Sequence, residues 1–167
     1  MFRLAQETDQ DWWDVEALYD LCFAPGREAL SSYRLRDNVA SVTELSLVAR
    51  DSQSILAGAI RYWPVRIGVM EALLLGPVAV HPTHQGEGLG ALLIEESLSC
   101  GRALGWDRVM LVGDAPYYQK HNFRKLEGLV MPPPTNPDRV LGRALVPGAW
   151  KGVTGNVRSF AARRGGA

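Results

Sequence analysis

The ten residues "EALLLGPVAV" (71–80) restrict the fold of this chain more than any other stretch. Their apolar run reads as a long buried strand of a sheet, but Gly76-Pro77 stands in the middle of it. Proline cannot donate to a ladder, and glycine inside a strand marks a bulge or a close backbone approach. Such a strand should splay from a neighbour beyond the interruption and leave backbone groups of Val78 to Val80 unpaired. Buried amides need partners. A ligand that is itself a string of amides, such as a pantetheine arm, would supply them.

"HPTHQGEGLG" (81–90) follows directly and opens a helix running to about Leu104. Three glycines in five positions permit a plain flexible helix entry. They also match G-x-G-x-x-G/A as Gly86-x-Gly88-x-x-Ala91, the dinucleotide fingerprint. Context argues against a dinucleotide. His81 to Gln85 separate the glycines from the strand, and no acid ends the next strand, "RVMLVG". A P-loop fails because no Lys-Ser/Thr follows. Taken as Gln85-x-x-Gly88-x-Gly90, the loop bares successive N–H groups at a helix N-terminus, where the dipole favours an anion.

The remaining chain alternates strands and helices. "FRLAQ" reads as a first strand, and Thr8 can cap a helix from about Asp9 to Phe23 with Trp13, Leu18 and Leu21 on its apolar side. "REALSSYRLRDNV" reads as a second helix, while "ELSLVARD" and "ILAGAIRYWPV" form an antiparallel pair around "SQS". "RVMLVG" is a buried strand, "APYYQKH" a short helix, "FRKLEG" and "RVLGRALV" further strands. These elements predict one α/β domain over residues 1–150 built on a mixed sheet, with 151–167 as a tail whose end, "RSFAARRGGA", is loose. A net charge of zero gives no electrostatic footprint for nucleic acid or an anionic membrane, and no apolar stretch approaches a membrane span. Cys22 and Cys100 fit reduced thiols, and "MFRLAQETDQ" lacks a signal-peptide core; together they predict a cytoplasmic protein. Neither the cysteines nor His81, His84 and His121 are spaced to bind a metal.

A bulged strand, then V-x-P, then Q-x-x-G-x-G opening a helix, resembles the acyl-CoA-binding core of the GNAT superfamily of N-acetyltransferases. "LVGDAPYYQKHNF" is similar to that superfamily's second signature, and "VLGRALVPGAWKGVTGNVRSF" resembles the C-terminal stretch of a bacterial subgroup of predicted acetyltransferases. The resemblance implies a mixed, mostly antiparallel sheet with a splayed, bulged strand and flanking helices. It implies acetyl-CoA as cosubstrate and a small-molecule or peptide amine as acceptor, attacking the thioester directly. Oligomeric state is left open, a homodimer included.

Carried onto this chain, the resemblance makes Gln85, Gly86, Gly88 and Gly90 the pyrophosphate loop, with backbone from Glu87, Leu89 and Ala91. Val78 would donate its N–H to the thioester oxygen, and Ala79 and Val80 would continue the pantetheine contacts. Tyr118 matches the general acid that reprotonates the thiolate, while Tyr117 is expected to face elsewhere. Three positions depart from the pattern. Asn122 replaces a glycine but tolerates positive φ. Glu87 stands where relatives are often basic. Leu74 falls where some relatives carry a glutamate base, which leaves Glu71 or His81 as candidate bases. Arg27, Arg34 and Arg36 lie in the segment that covers the acceptor site in relatives and hint at a carboxylate on the acceptor. The missing base keeps a second possibility open, a non-catalytic acyl-CoA-binding sensor or docking domain.

Overall fold

The computed structural model describes residues 1–23 and 31–161. β1 (Arg3–Gln6) leads through a 3-10 turn at Asp9–Asp11 into α1 (Trp12–Cys22), and α2 (Ser31–Arg34) is a single turn. β2 (Leu47–Arg50), β3 (Leu56–Ile67) and β4 (Met70–Val80) precede α3 (Leu89–Ala103) and β5 (Arg108–Val112). α4 (Ala115–Gln119) follows, then β6 (Arg124–Lys125), β7 (Leu129–Val130), β8 (Val140–Ala144) and β9 (Gly155–Ser159). The sheet order is β1-β2-β3-β4-β5-β8-β6, antiparallel throughout except between β4 and β5. It is the mixed α/β architecture that the pattern predicts and the mostly antiparallel sheet that the resemblance implies.

The Gly76-Pro77 interruption does what its chemistry requires. Against β3, Leu75 pairs with Tyr62 and Val78 with Ile60, so β4 spends one residue more than β3 over this interval. That extra residue is a bulge, and it re-aims the strand. β4 pairs with β5 only at Leu73 and Leu74, facing Val109 and Met110. Beyond the bulge the two strands part.

Helices cover both faces. Leu89, Leu93, Ile94 and Leu98 of α3 pack against Ile60, Leu73 and Leu111. On the opposite face Val15, Leu18 and Tyr19 of α1 meet Val48, Ala59 and Ala79. The apolar side of α1 thus differs from the expectation. Val15, Leu18 and Tyr19 are related by i+3 and i+4 and share one face, whereas Trp13 is 77% exposed and Leu21 56%. Of the predicted second helix the described part forms only the turn of α2, and its beginning, Arg27 included, lies outside the described residues. "FRKLEG" gives a strand of two residues only. The tail is not uniformly loose: Gly155–Ser159 pairs with the far end of β3, Ser159 against Val65, and buries Val157. Residues 162–167 lie outside the described residues.

Candidate functional site

The gap between β4 and β5 is held open by side chains that take up the carbonyls at the bulge. The Trp63 indole N–H donates to Gly76 O at 3.1 Å, and the Tyr19 hydroxyl donates to Pro77 O at 3.1 Å. Past the bulge, His81 N–H donates across to Ala57 O at 2.8 Å. Backbone groups alternate sides along a strand, so the amide of Ala79 also faces β3 while those of Val78 and Val80 face the gap. Val78 and Val80 are therefore brought to the site. Ala79 is not: its amide is turned into the ladder and its side chain is buried against α1.

At one end of the gap lies a groove of about 540 Å³ bounded by the glycine loop, Val80, Tyr117, Lys120 and His121. Gly86 and Gly88 have φ of +85° and +81°, a left-handed geometry that disfavours any side chain, and nothing lies within 4 Å of where a Cβ would stand. Gly88 is the N-cap of the 15-residue α3, so free amides and the positive end of its dipole point at this groove. Gln85 Nε2 donates back to Val80 O at 3.4 Å, tying loop to strand. Gly90 and Ala91 line the groove, and Leu89 does so while burying its side chain in the core. Glu87 is not part of the lining; its carboxylate pairs with His84 Nδ1 at 3.0 Å. Tyr117, expected elsewhere, closes the opposite wall, its hydroxyl 3.0 Å from where a Cβ on Gly90 would sit.

At the other end lies a cavity of about 140 Å³, walled by Val78, Pro77, Leu111, Tyr118, Tyr33 and Arg36 among others. Tyr118 is fixed from every side. The Asp114 carboxylate caps α4 by accepting from Tyr117 N, and the Tyr118 ring packs edge-on against Tyr117 and Phe123. Gly113 makes room for that ring, since a Cβ there would come within 2.8 Å of it. Asn122 takes φ of +64°, so the turn beyond α4 survives the loss of glycine. No hydrogen bond to a described residue engages the Tyr118 hydroxyl, and burial pushes its pKa up to about 12. It is a protonated donor facing an open space.

The two candidate bases are not brought here. Glu71 is exposed at the start of β4, seven residues of extended strand from Val78, on the order of 20 Å. His81 bonds Thr83 Oγ1 at 2.8 Å and lines a separate groove beside Leu18 and Arg50. Leu74 is core. Among the described residues no cluster of three or more His, Cys, Asp or Glu is placed to hold a metal ion, and no helix is long and apolar enough to cross a membrane. Tyr19, Tyr33, Trp63 and Gly113 belong to this site without being marked by the sequence pattern. The signal for Trp63 and Tyr19 lay in the bulge itself, whose orphaned carbonyls demand donors.

Comparison with known proteins closes on one group. Residues 43–125 match the family described as acetyltransferase (GNAT) domain. An uncharacterized N-acetyltransferase, YjhQ of Escherichia coli K12, is 28% identical over 130 residues, 76% of this chain and 71% of that protein. Among solved structures, the GNAT family N-acetyltransferase YhbS of Escherichia coli, in complex with CoA, superposes with a TM-score of 0.80 at 25% identity, over 95% of this chain and 89% of that one. A GNAT family acetyltransferase of Brucella melitensis, in complex with acetyl-CoA, gives a TM-score of 0.72 at 28% identity, covering 96% and 97%.

Proposed function

This chain belongs to the GNAT acetyltransferases, and from that premise we propose that it transfers an acetyl group from acetyl-CoA to an amine by direct attack on the thioester. One observation carries the proposal: the glycine groove and the Tyr118 cavity both lie against the splayed stretch of β4, with Val80 lining the one and Val78 the other. The pyrophosphate sits on the N-terminus of α3, where Gly86 and Gly88 leave room. Lys120 and His121 stand on the same groove, where the lysine adds positive charge beside the phosphates. Pantetheine amides replace the β5 ladder against Val80, which delivers the thioester to Val78.

The chemistry then uses groups already in position. As the amine adds to the carbonyl carbon, the oxygen gains charge and the Val78 N–H stabilises it. Collapse of the intermediate breaks the C–S bond, and Tyr118 gives its proton to the leaving thiolate. Neither carboxylate nor imidazole lines this cavity among the described residues. The base role of Glu71 is therefore dropped, and the ammonium loses its proton to water before or during attack.

That same absence favours a second reading, an acyl-CoA-binding domain without turnover. Release of free thiol from acetyl-CoA across a panel of amines, run beside calorimetric titration of acetyl-CoA, separates the two. Saturable thiol release with at least one amine is expected. Tight binding without release from any amine would establish the sensor, and no binding at all would sink both.

A further inference from the structure

Several half-buried or buried arginines of this chain are matched to acids. Arg61 donates to Glu7 and Glu16, Arg50 to Asp11, and Arg143 to Glu95. Arg36 is not. Its guanidinium lies 3.4 Å over the Tyr33 ring and 5.1 Å from the Trp63 ring, yet its Nε is buried without a hydrogen-bond partner, and no carboxylate of the described residues pairs with it. Arg66 also has an orphaned Nε, but it reaches Phe160 O and stands far along β3, outside both cavities. Arg36 instead lines the Tyr118 cavity.

Arg36 is half-buried, and a cation drawn out of water without an anion is costly; proteins keep one where something else supplies the counter-charge. Aromatic faces compensate only in part. Burial accordingly pulls the Arg36 guanidinium below arginine's ordinary pKa. The space is small: an apolar cavity of about 150 Å³ holds a molecule the size of benzene, and this one measures about 140 Å³.

We infer that Arg36 is the anchor for the acceptor's carboxylate, so that the amine acetylated here is borne by a small amino carboxylate. The planar guanidinium fork fits a carboxylate in bidentate fashion. Tyr33 and Trp63 flank it, and Ser32 offers a further hydroxyl in the same cavity. With the carboxylate on Arg36, the amine a bond or two away is directed at the thioester beside Val78. A phosphate dianion would call for several cations, and Arg36 is the one charged side chain of the described residues lining this space.

The inference rests on the acetyltransferase reading above, and the test keeps the two apart. Thiol release is measured for alanine, β-alanine, alaninamide, ethylamine and phosphoethanolamine, with wild type, Arg36→Met and Arg36→Lys. In parallel, alanine and β-alanine are titrated calorimetrically into the CoA-loaded protein, a readout that needs no turnover. Wild type should favour an amino carboxylate over its amide and over ethylamine. Arg36→Met should raise KM for that substrate roughly 10- to 100-fold, as expected for a lost charged hydrogen-bonded pair, and leave alaninamide and acetyl-CoA affinity unchanged. Arg36→Lys should restore part of the loss. Because Arg36→Met removes a half-buried charge that no described carboxylate pairs with, it should leave the melting temperature of the free protein equal or higher; a merely structural arginine would lower it. Equal use of alanine and alaninamide, or preference for phosphoethanolamine, overturns the anchor while leaving the acetyltransferase standing. Absence of amino carboxylate binding to the CoA-loaded protein overturns it even without turnover, whereas binding lost in Arg36→Met upholds it in a sensor as well.

Discussion

Tyr118 concentrates the residue-scale argument. Its ring is clamped by Gly113 and Phe123, so replacing the hydroxyl by hydrogen should disturb nothing but the proton. Tyr118→Phe is expected to lower kcat on the order of 100-fold, a usual loss for a general acid, with acetyl-CoA affinity unchanged because the proposed cofactor contacts, in residues 78–91, are untouched. Equal turnover in the two proteins would assign thiolate protonation to water. The elevated pKa has its own consequence. A phenol at about 12 stays protonated through the ordinary working range. The rate should therefore rise as the amine deprotonates and then hold level to about pH 10. A descending limb near neutral pH would identify a different acid. Tyr118 was legible in the sequence because its neighbours form a local signature. Trp63 was not legible as a donor to Gly76, nor Tyr19 to Pro77: these partners lie 13 and 58 residues apart, and only the folded sheet brings them together. Arg36 was visible as a charge, but its missing counter-charge could be seen only once its surroundings were.

At the scale of elements, what the sequence displays best is what is written in consecutive residues. The bulge of β4 and the glycine entry to α3 both follow from backbone rules that act within a few positions. The buried side of α1 did not, because an aromatic-rich helix offers more than one apolar stripe and tertiary contact chooses between them. Val15, Leu18 and Tyr19 won that choice by facing Ala59 and Ala79. The glycine entry gives a prediction with a matched control. Gly88→Val forces a branched residue to φ of +81° and fills the anion cradle, while Gly68→Val imposes a similar penalty at φ of +61° in the open β3–β4 turn. Both variants should lose about 1–2 kcal/mol of stability. Only Gly88→Val should lose acetyl-CoA affinity, by more than about 10-fold. Calorimetric titration at a temperature where both remain folded decides it, and equal affinities would remove the phosphate from this loop.

For the whole molecule the question is where the folded unit ends. The domain expected from the sequence runs over residues 1–150, with 151–167 as a tail. Long-range pairing extends past that point. β9 joins β3 at Val65, Arg66 and Ile67, and beyond residue 150 the chain buries Val153 and Val157 in the cluster that also holds Leu74 and Met110. That cluster lies directly behind the paired end of β4, so it steadies the strand from which the splay begins. Truncation after Trp150 should thus be felt in stability rather than in the site. Fully burying a valine is worth about 1.5–3 kcal/mol, so the loss is roughly 3–6 kcal/mol before any ladder bond is counted, a large share of the ~5–15 kcal/mol typical of a domain. The melting temperature should fall by about 10 °C or more. Among the described residues, neither the glycine groove nor the Tyr118 cavity takes a lining residue from beyond 150, so acetyl-CoA affinity measured well below the transition should persist. Thermal unfolding of the 1–150 fragment beside the full chain, with calorimetric titration of each, tests both halves. An unchanged melting temperature would place the end of the folded unit at residue 150, and a lost affinity in a folded fragment would show that β9 supports the cofactor site through β3.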